Sequence, residues 1–453
     1  MACAVERARG TRDGSTTNEK YALTGRVDHG QYYQLYYNRL MALKPRAVAS
    51  ARARWPNAPV RGVLELKEHE QCVVVGTVYK EMKDKPIILD EYVKDFEREV
   101  YEAKRIERGN YCREDDRLEF EDEGARVRVL GVDAGRFVTG VVCAFKGRAT
   151  SKGEFEVEDA AVFAPARGGE DAVTTADGDA KYVCLVSGFE LGGRGSSAEN
   201  LARNQMFVDY VTGASVMDSD AASDCDAAHI CHVVVAGGTL NVNAPSLDDS
   251  TASAAASAAA VKELDLMFTE IASAVPVDVM SGKSDPTNKA MPQQPLHPVY
   301  FPEATRFEKT MRLATNPHEF SVDNVSFLGT SGQNVDDVLT FSTIGADDVS
   351  SSFSGDDAAK PAVAALSQTL RWQHVAPSAP DTLACYPFKD RDPFVIDTIP
   401  RVYFAGCQEA FGADRVAHDR GETLVVSVPR FSTTGCVVLI DVRTLECRVT
   451  RLA

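Results

Sequence analysis

The chain has 453 residues, 44% of them apolar and 8% aromatic, and 66 Asp and Glu outweigh 49 Lys and Arg for a formal charge of −17. A chain of this length exceeds one ordinary core and points to two domains. The acidic balance argues against strong nucleic-acid binding by the isolated protein, because such affinity comes largely from cations that neutralise phosphates. The opening MACAVERARGTRDG lacks the apolar core of a signal peptide, and no run of 18 apolar residues occurs. A soluble intracellular protein with no membrane partner is therefore expected. Eleven cysteines, scattered from Cys3 to Cys447 without a Cys-x-x-Cys pair, read as reduced and mostly buried.

Residues 1–20 are polar and are expected to form a disordered tail. A helical segment is predicted within 21–60, where Tyr32, Leu35 or Tyr36, and Leu40 fall on one side. That stripe is expected to pack on its own domain, since a sliding-clamp peptide would need an aliphatic residue where Gln34 stands. From 61 to 165 the pattern is β: QCVVVGTVYK (71–80), RLEFED (117–122), ARVRVLGV (125–132), FVTGVVCAFKG (137–147) and GEFEVEDAAVFA (153–164). A charged helical insert near 86–109 interrupts the first two. Five such strands suit an OB-fold barrel. Acidic residues exceed basic ones across 115–165, so the barrel is expected to contact protein rather than single-stranded nucleic acid.

Residues 166–180 read as a polar linker. Beyond it, apolar runs at 181–187, 232–236, 276–280 and 402–405 alternate with helical stretches near 197–211 and 252–274. Val261, Leu264, Met267 or Phe268, and Ile271 form the stripe of the second helix. This alternation predicts a layered α/β domain over 181–453. Three closing runs, 423–429, 435–442 and 446–452, read as an antiparallel meander finishing one sheet. The Ser-, Ala-, Asp- and Gly-rich segments 214–228 and 343–360 are expected to be surface insertions.

In a sheet of this kind, sites form in loops after the strands. The first such loop, Ser187 to Ser196, has the Gly188/Gly193 spacing of a phosphate loop, but Arg194-Gly195 replaces its Lys-Ser/Thr. Four loops in order (Gly188-Phe189-Glu190; Gly237-Gly238-Thr239-Leu240-Asn241; Gly282-Lys283-Ser284-Asp285; Gly406-Cys407-Gln408-Glu409) resemble the layout of calcineurin-like metallophosphoesterases. Catalytic members read D-x-H, G-D-x-x-D, G-N-H-D/E and G-H-x-H there, and those groups hold two metal ions. Here Gly188 and Glu190, Gly238 and Asn241, Lys283 and Ser284, and Cys407 and Glu409 occupy ligand positions, and Asp285 alone matches. No catalytic residue, metal ligand or cofactor is expected. The rival enzyme reading is an atypical metal-dependent phosphodiesterase or nuclease, with Glu190, Asp285 and Glu409 on one hard cation. The cluster Cys225, His229, Cys231 and His232 lacks zinc-finger spacing and reads as a buried strand entrance.

An OB-fold followed by an inactive calcineurin-like domain is the layout of the B subunits of replicative DNA polymerases. VCLVSGFELGG (183–193), VPVDVMSGKSDPTN (275–288), MPQQPLHP (291–298), FLGTSGQNVDD (327–337), APDTLACYPFKDRDPF (379–394) and VPRFSTTGCVVLIDVRTLECRV (428–449) resemble the small subunits of the delta branch. The resemblance implies an α/β plus β fold: an OB barrel with helical elements, then a two-sheet phosphodiesterase-like domain. It also implies a nuclear scaffold that binds the C-terminal cysteine-rich, metal-binding region of the delta catalytic subunit, joins it to the third subunit, and meets DNA only indirectly. The corresponding subunits of polymerases alpha and epsilon are the alternatives. Phe189, Pro286 and Phe411, in the loops that replace the active site, are candidate interface residues.

Overall fold

The computed structural model describes residues 10, 17–23, 30–85, 109–159, 161–163, 180–192, 197–214, 226–241, 250–419 and 421–452. Most of the expected tail, the 86–109 insert, the 166–180 linker and most of the 214–228 insertion lie outside the described residues.

Helix α1, Tyr33–Arg54, buries Leu35, Leu40, Leu43, Ala47 and Ala51. It lies on β1 (Gln71–Glu81) and β4 (Val142–Ala149), where Ala47, Ala51 and Trp55 pack on Val73, Val75 and Ala144. The expected stripe is corrected at its first position. Tyr32 precedes the helix and is 41% exposed, while its hydroxyl donates to Cys385 O. Tyr33 and Tyr37 point outward.

The barrel closes as expected for an OB-fold. β2 (Arg117–Glu121), β3 (Arg126–Leu130), β5 (Phe155–Val157) and β4 follow β1 around the ring, β1 pairs with β4, and β6 (Val162–Phe163) adds to the β4 edge. Phe120, Phe145 and Phe155 are fully buried inside, and the Phe120 and Phe145 rings lie 5.1 Å apart.

Among the described residues, the rest of the chain forms two six-stranded sheets. In the first, β7 (Tyr182–Val186), β8 (Ile230–Ala236), β9 (Val277–Met280) and β10 (Met311–Ala314) run parallel, while β17 (Cys436–Asp441) and β18 (Cys447–Arg451) continue antiparallel beyond β7. The second has the order β11 (His318–Val322), β12 (Val325–Thr330), β14 (Val402–Gln408), β16 (Gly421–Pro429), β15 (Gly412–His418), β13 (Ser354–Gly355). Alternate residues explain the continuous apolar runs. Val183, Leu185, Val438 and Ile440 face the second sheet, whereas Cys184, Val186, Val437 and Leu439 face α2 (Ala198–Thr212) and the long helix after β8. That helix, Ser250–Ala274, is α4; a single-turn helix, α3 (Asp226–His229), leads into β8. On the far side of the second sheet, α5 (Gln333–Phe341) and α6 (Lys360–Arg371) share one apolar cluster with the barrel, joining Val335, Val338 and Leu366 to Phe137, Val138 and Val141.

One expectation about the closing runs is corrected. The closing runs are not one meander: β16 lies in the second sheet between β14 and β15, whereas β17 and β18 belong to the first. Both β16 and β17 are apolar on each face and so take interior positions. The chain crosses between them through the short helix α7 (Phe431–Thr434), ended by Gly435 at φ +63°. Segment 343–360 is mostly exposed, as expected of a surface insertion, and it is fastened to its neighbours. Its polar residues have partners: Thr343 N–H donates to Gly135 O at 2.7 Å, Asp348 takes both guanidinium nitrogens of Arg136, and Ser350 and Ser352 donate to Asp414.

Candidate functional site

The loops after β7, β8, β9 and β14 meet in one seam. The first two zip together: Gly188 N–H donates to Gly237 O at 2.9 Å, Glu190 N–H to Gly238 O at 2.9 Å, and Asn241 N–H to Leu191 O at 2.9 Å. Asp285, from the third loop, ties this ladder down. Its buried carboxylate accepts from the backbone of Gly238 (2.9 Å), Leu240 (2.8 Å) and Gly282 (2.7 Å) and from the Thr239 hydroxyl (2.5 Å). Burial pushes this carboxyl above its ordinary range, against the pull of those four donors. The fourth loop enters with Cys407 at φ +54°, its N–H donating to Ser187 Oγ at 2.8 Å, and burial pushes the thiol up to about 12.

Close backbone approach is what this seam requires. A Cβ on Gly238 would lie 2.8 Å from Cys407 Sγ and 3.0 Å from Gly188 Cα, and φ there is +68°. A Cβ on Gly406 would lie 2.2 Å from Ala236 O. The glycines of these loops therefore let one chain segment rest on another. Glu190, also left-handed at φ +53°, accepts from Ser432 Oγ at 2.8 Å and lies 3.7 Å from Arg430 Nε. Lys283 and Glu409 are exposed, and Asn241 and Ser284 are half-buried. The three carboxylates of the rival enzyme reading thus have different surroundings: Asp285 is buried among four donors, Glu190 is tied to Arg430 and Ser432, and Glu409 faces solvent. Among the described residues, no three His, Cys, Asp or Glu side chains converge in an arrangement able to hold a metal ion.

Phe189 is corrected as an interface residue. Gly188, at φ +68°, turns it inward, and the ring is fully buried 5.3 Å from Phe207 and 5.6 Å from Phe431. Pro286 and Phe411 are half-buried. Of the Cys/His cluster, Cys225 lies outside the described residues. The other three take separate partners: His229 Nδ1 lies 3.0 Å from Ala180 O, Cys231 Sγ faces Tyr182 O at 3.4 Å, and His232 lies 3.3 Å from Asp278.

Two polar groups were missed in the sequence. Asp278, buried between the sheets, lies 2.9 Å from His318 Nε2; burial works against its charge, yet the two histidines hold it well below the usual carboxylate range. Behind the third loop, Gln293 donates to Gly282 O at 3.1 Å and accepts from Asn316 (2.9 Å) and Gln333 (2.8 Å). Gln293 and Gln333 fall in MPQQPLHP and FLGTSGQNVDD, whose amides amid apolar sequence were the available signal of a buried network.

Residues 31–160 match the family model described as the DNA polymerase delta subunit OB-fold domain, and residues 183–413 match the family model for the B subunits of DNA polymerases alpha and epsilon. The DNA polymerase delta small subunit of Arabidopsis thaliana is 38% identical over 447 residues, covering 96% of this chain and 94% of that protein. That of Oryza sativa subsp. japonica is 36% identical, covering 96% of each. That of Saccharomyces cerevisiae is 30% identical, covering 94% and 90%. Similarity to delta small subunits along nearly the whole length, together with the delta-type barrel, separates this chain from the alpha and epsilon alternatives: it belongs to the family of DNA polymerase delta small subunits, accessory to a polymerase rather than its catalyst.

Proposed function

We propose that this chain is the scaffold of a DNA polymerase delta complex in the nucleus. It joins the catalytic subunit, through that partner's C-terminal cysteine-rich metal-binding region, to an extended third subunit during replication and repair synthesis. The barrel of 61–165, with the helix of 21–60 on its flank, and an inactive calcineurin-like body of 181–453 are the units, connected by 166–180. DNA is reached through the complex, in keeping with a net charge of −17.

One observation carries the reading. The loops that would hold metal ions in a phosphoesterase are closed on one another, and the one matching carboxylate, Asp285, is occupied by four donors from the loops themselves. A closed, rigid seam supports assembly, since a preorganised surface loses little freedom on binding. Pro286 and Phe411 remain the candidate contacts beside it.

The test has two arms. Co-expressed with the polymerase delta catalytic subunit, the chain is expected to co-elute one-to-one on size exclusion, dependent on the catalytic subunit's C-terminal region. Separate elution of two folded proteins at micromolar concentration overturns the scaffold role. Purified with manganese, the chain is expected to hydrolyse no phosphodiester substrate above a buffer control; turnover that vanishes in Asp285→Ala restores the enzyme reading.

A further inference from the structure

The N-terminal residues reach the loop seam through one glutamine. Thr17–Lys20 form a single 3-10 turn against β11, the outermost strand of the second sheet on that side. Lys20 Nζ donates to Val395 O at 2.7 Å and lies 3.4 Å from Glu319 and 3.3 Å from Asp397. Tyr21 is fully buried, and its hydroxyl donates to Glu319 Oε1 at 2.5 Å. These residues cover a sheet edge, where a strand otherwise presents unpaired backbone groups. From Glu19 to Leu23, Tyr21 is the one buried side chain, so this short strap hangs on a single buried ring.

Gln294 joins the strap to the third loop. Its side-chain amide holds the strap with both of its ends: Leu23 N–H donates to Oε1 at 3.1 Å, and Nε2 donates to Tyr21 O at 3.0 Å. Its backbone holds the loop. The Gln294 carbonyl accepts from Ser281 Oγ at 2.7 Å and from Thr287 Oγ1 at 2.9 Å, and its N–H donates to Asn288 Oδ1 at 2.8 Å. One carbonyl thus pins both ends of 282–286, the stretch that carries Asp285 and Pro286. Asp285 in turn ties down the loop after β8.

A terminal strap with one buried anchor opens at low cost compared with the sheets behind it. Opening takes Leu23 N–H and Tyr21 O away from the Gln294 amide and leaves its Nε2 the Pro292 carbonyl, at 3.3 Å. The seated and the released strap are two discrete states, and the third loop is held differently in each.

We propose that residues 17–23 are a releasable strap that governs docking at the seam: seated, it fixes Gln294 and with it the loop bearing Pro286; released, it lets that loop loosen. The inference rests on the scaffold reading, with the catalytic subunit as the partner that meets this loop. Coupling of this kind is reciprocal, so a bound catalytic subunit also holds the strap seated. Hydrogen exchange on the full chain compares wild type with Tyr21→Ala, which removes the anchor, and Gln294→Ala, which cuts the link and leaves Tyr21 in place. Both are expected to speed exchange over 282–288 by roughly tenfold, the effect of one or two lost hydrogen bonds, with β1 of the barrel unchanged. If Tyr21→Ala loosens β1 as well, Gln294→Ala decides. Tyr21→Phe, which keeps the buried ring, is expected to exchange as wild type does. Affinity for purified polymerase delta catalytic subunit is expected to fall roughly fivefold or more in both alanine variants, and the bound subunit to slow exchange over 17–23. Rapid exchange over 17–23 with 282–288 unchanged in Tyr21→Ala overturns the coupling, as does equal exchange over 282–288 in Gln294→Ala and wild type. Unchanged affinity in a variant whose loop has loosened overturns the control of docking. A wild-type chain that binds no catalytic subunit overturns the scaffold reading instead, and the exchange comparison still decides the strap.

Discussion

The carboxylate of Asp285 joins three stretches of chain by accepting from Gly238, Leu240 and Gly282 and from the Thr239 hydroxyl. Removing it leaves three buried N–H groups and a hydroxyl without their acceptor, and each such group costs about 1–3 kcal/mol. Asp285→Ala is therefore expected to destabilise the protein by roughly 3 kcal/mol or more, read as a lower denaturant midpoint at unchanged slope. A midpoint within error of wild type would show that the loops close without this carboxylate. The spacing of the third loop places Asp285 in the sequence, but the sequence does not reveal what surrounds it. Its donors come from a loop 45 to 47 residues upstream as well as from its own, and no local pattern carries that information. Phe189 shows the same limit: an apolar residue after a loop glycine reads equally as a surface anchor or a core residue, and the left-handed φ of Gly188 decides it.

At the scale of elements, the strands easiest to read are those with both faces covered. β7, β8, β9, β14, β16 and β17 stand out as mainly apolar runs because each contributes to a core on either side. That uniformity also hides which sheet each belongs to, and it is why the division of the closing runs is invisible without tertiary contacts. β10, β11 and β15 (MRLA, HEFSV, GADRVAH) escape notice because they are short and mix polar with apolar residues. α5 starts at Gly332 without a capping side chain, so it has no start signal. The glycine loops are legible as turns, whereas their mutual contact is not. Gly238→Ala tests that contact: the new methyl must sit at φ +68° and 2.8 Å from Cys407 Sγ. A loss of about 2 kcal/mol or more is expected, and Cys407→Ala should recover little of it, because Gly188 Cα remains 3.0 Å away. Full recovery in the double variant would locate the crowding at the sulfur alone.

Across the whole molecule, the barrel and the two-sheet body are fastened by a buried charge. Arg39 of α1 donates Nε to Asp392 at 2.7 Å, and its other nitrogens reach Gly140 O in the barrel (3.1 Å) and Pro377 O and Ala379 O in the body (2.6 Å each). His374 completes the group, its Nε2 2.9 Å from Asp392. Removing one partner of such a pair leaves a charge buried alone, so Arg39→Ala is expected to cost about 3–5 kcal/mol. The same group makes stability depend on pH. Burial, with the Arg39 guanidinium next, pulls His374 down to about 4, whereas an unfolded histidine titrates near 6.5. The unfolded chain therefore binds this proton first as pH falls. The stability tied to neutral His374 is complete above 6.5 and is lost progressively as pH drops towards 4. Between pH 7 and pH 5 that amounts to about 2 kcal/mol from this residue. His318, also held down by burial, acts in the same direction, so the wild-type slope alone does not isolate one histidine. Comparing wild type with His374→Gln does: the variant is expected to lose about 2 kcal/mol less over that interval in urea titrations. Parallel pH profiles for the two proteins would mean that His374 accepts a proton as readily in the folded protein as in the unfolded chain, and that burial beside Arg39 does not hold it neutral.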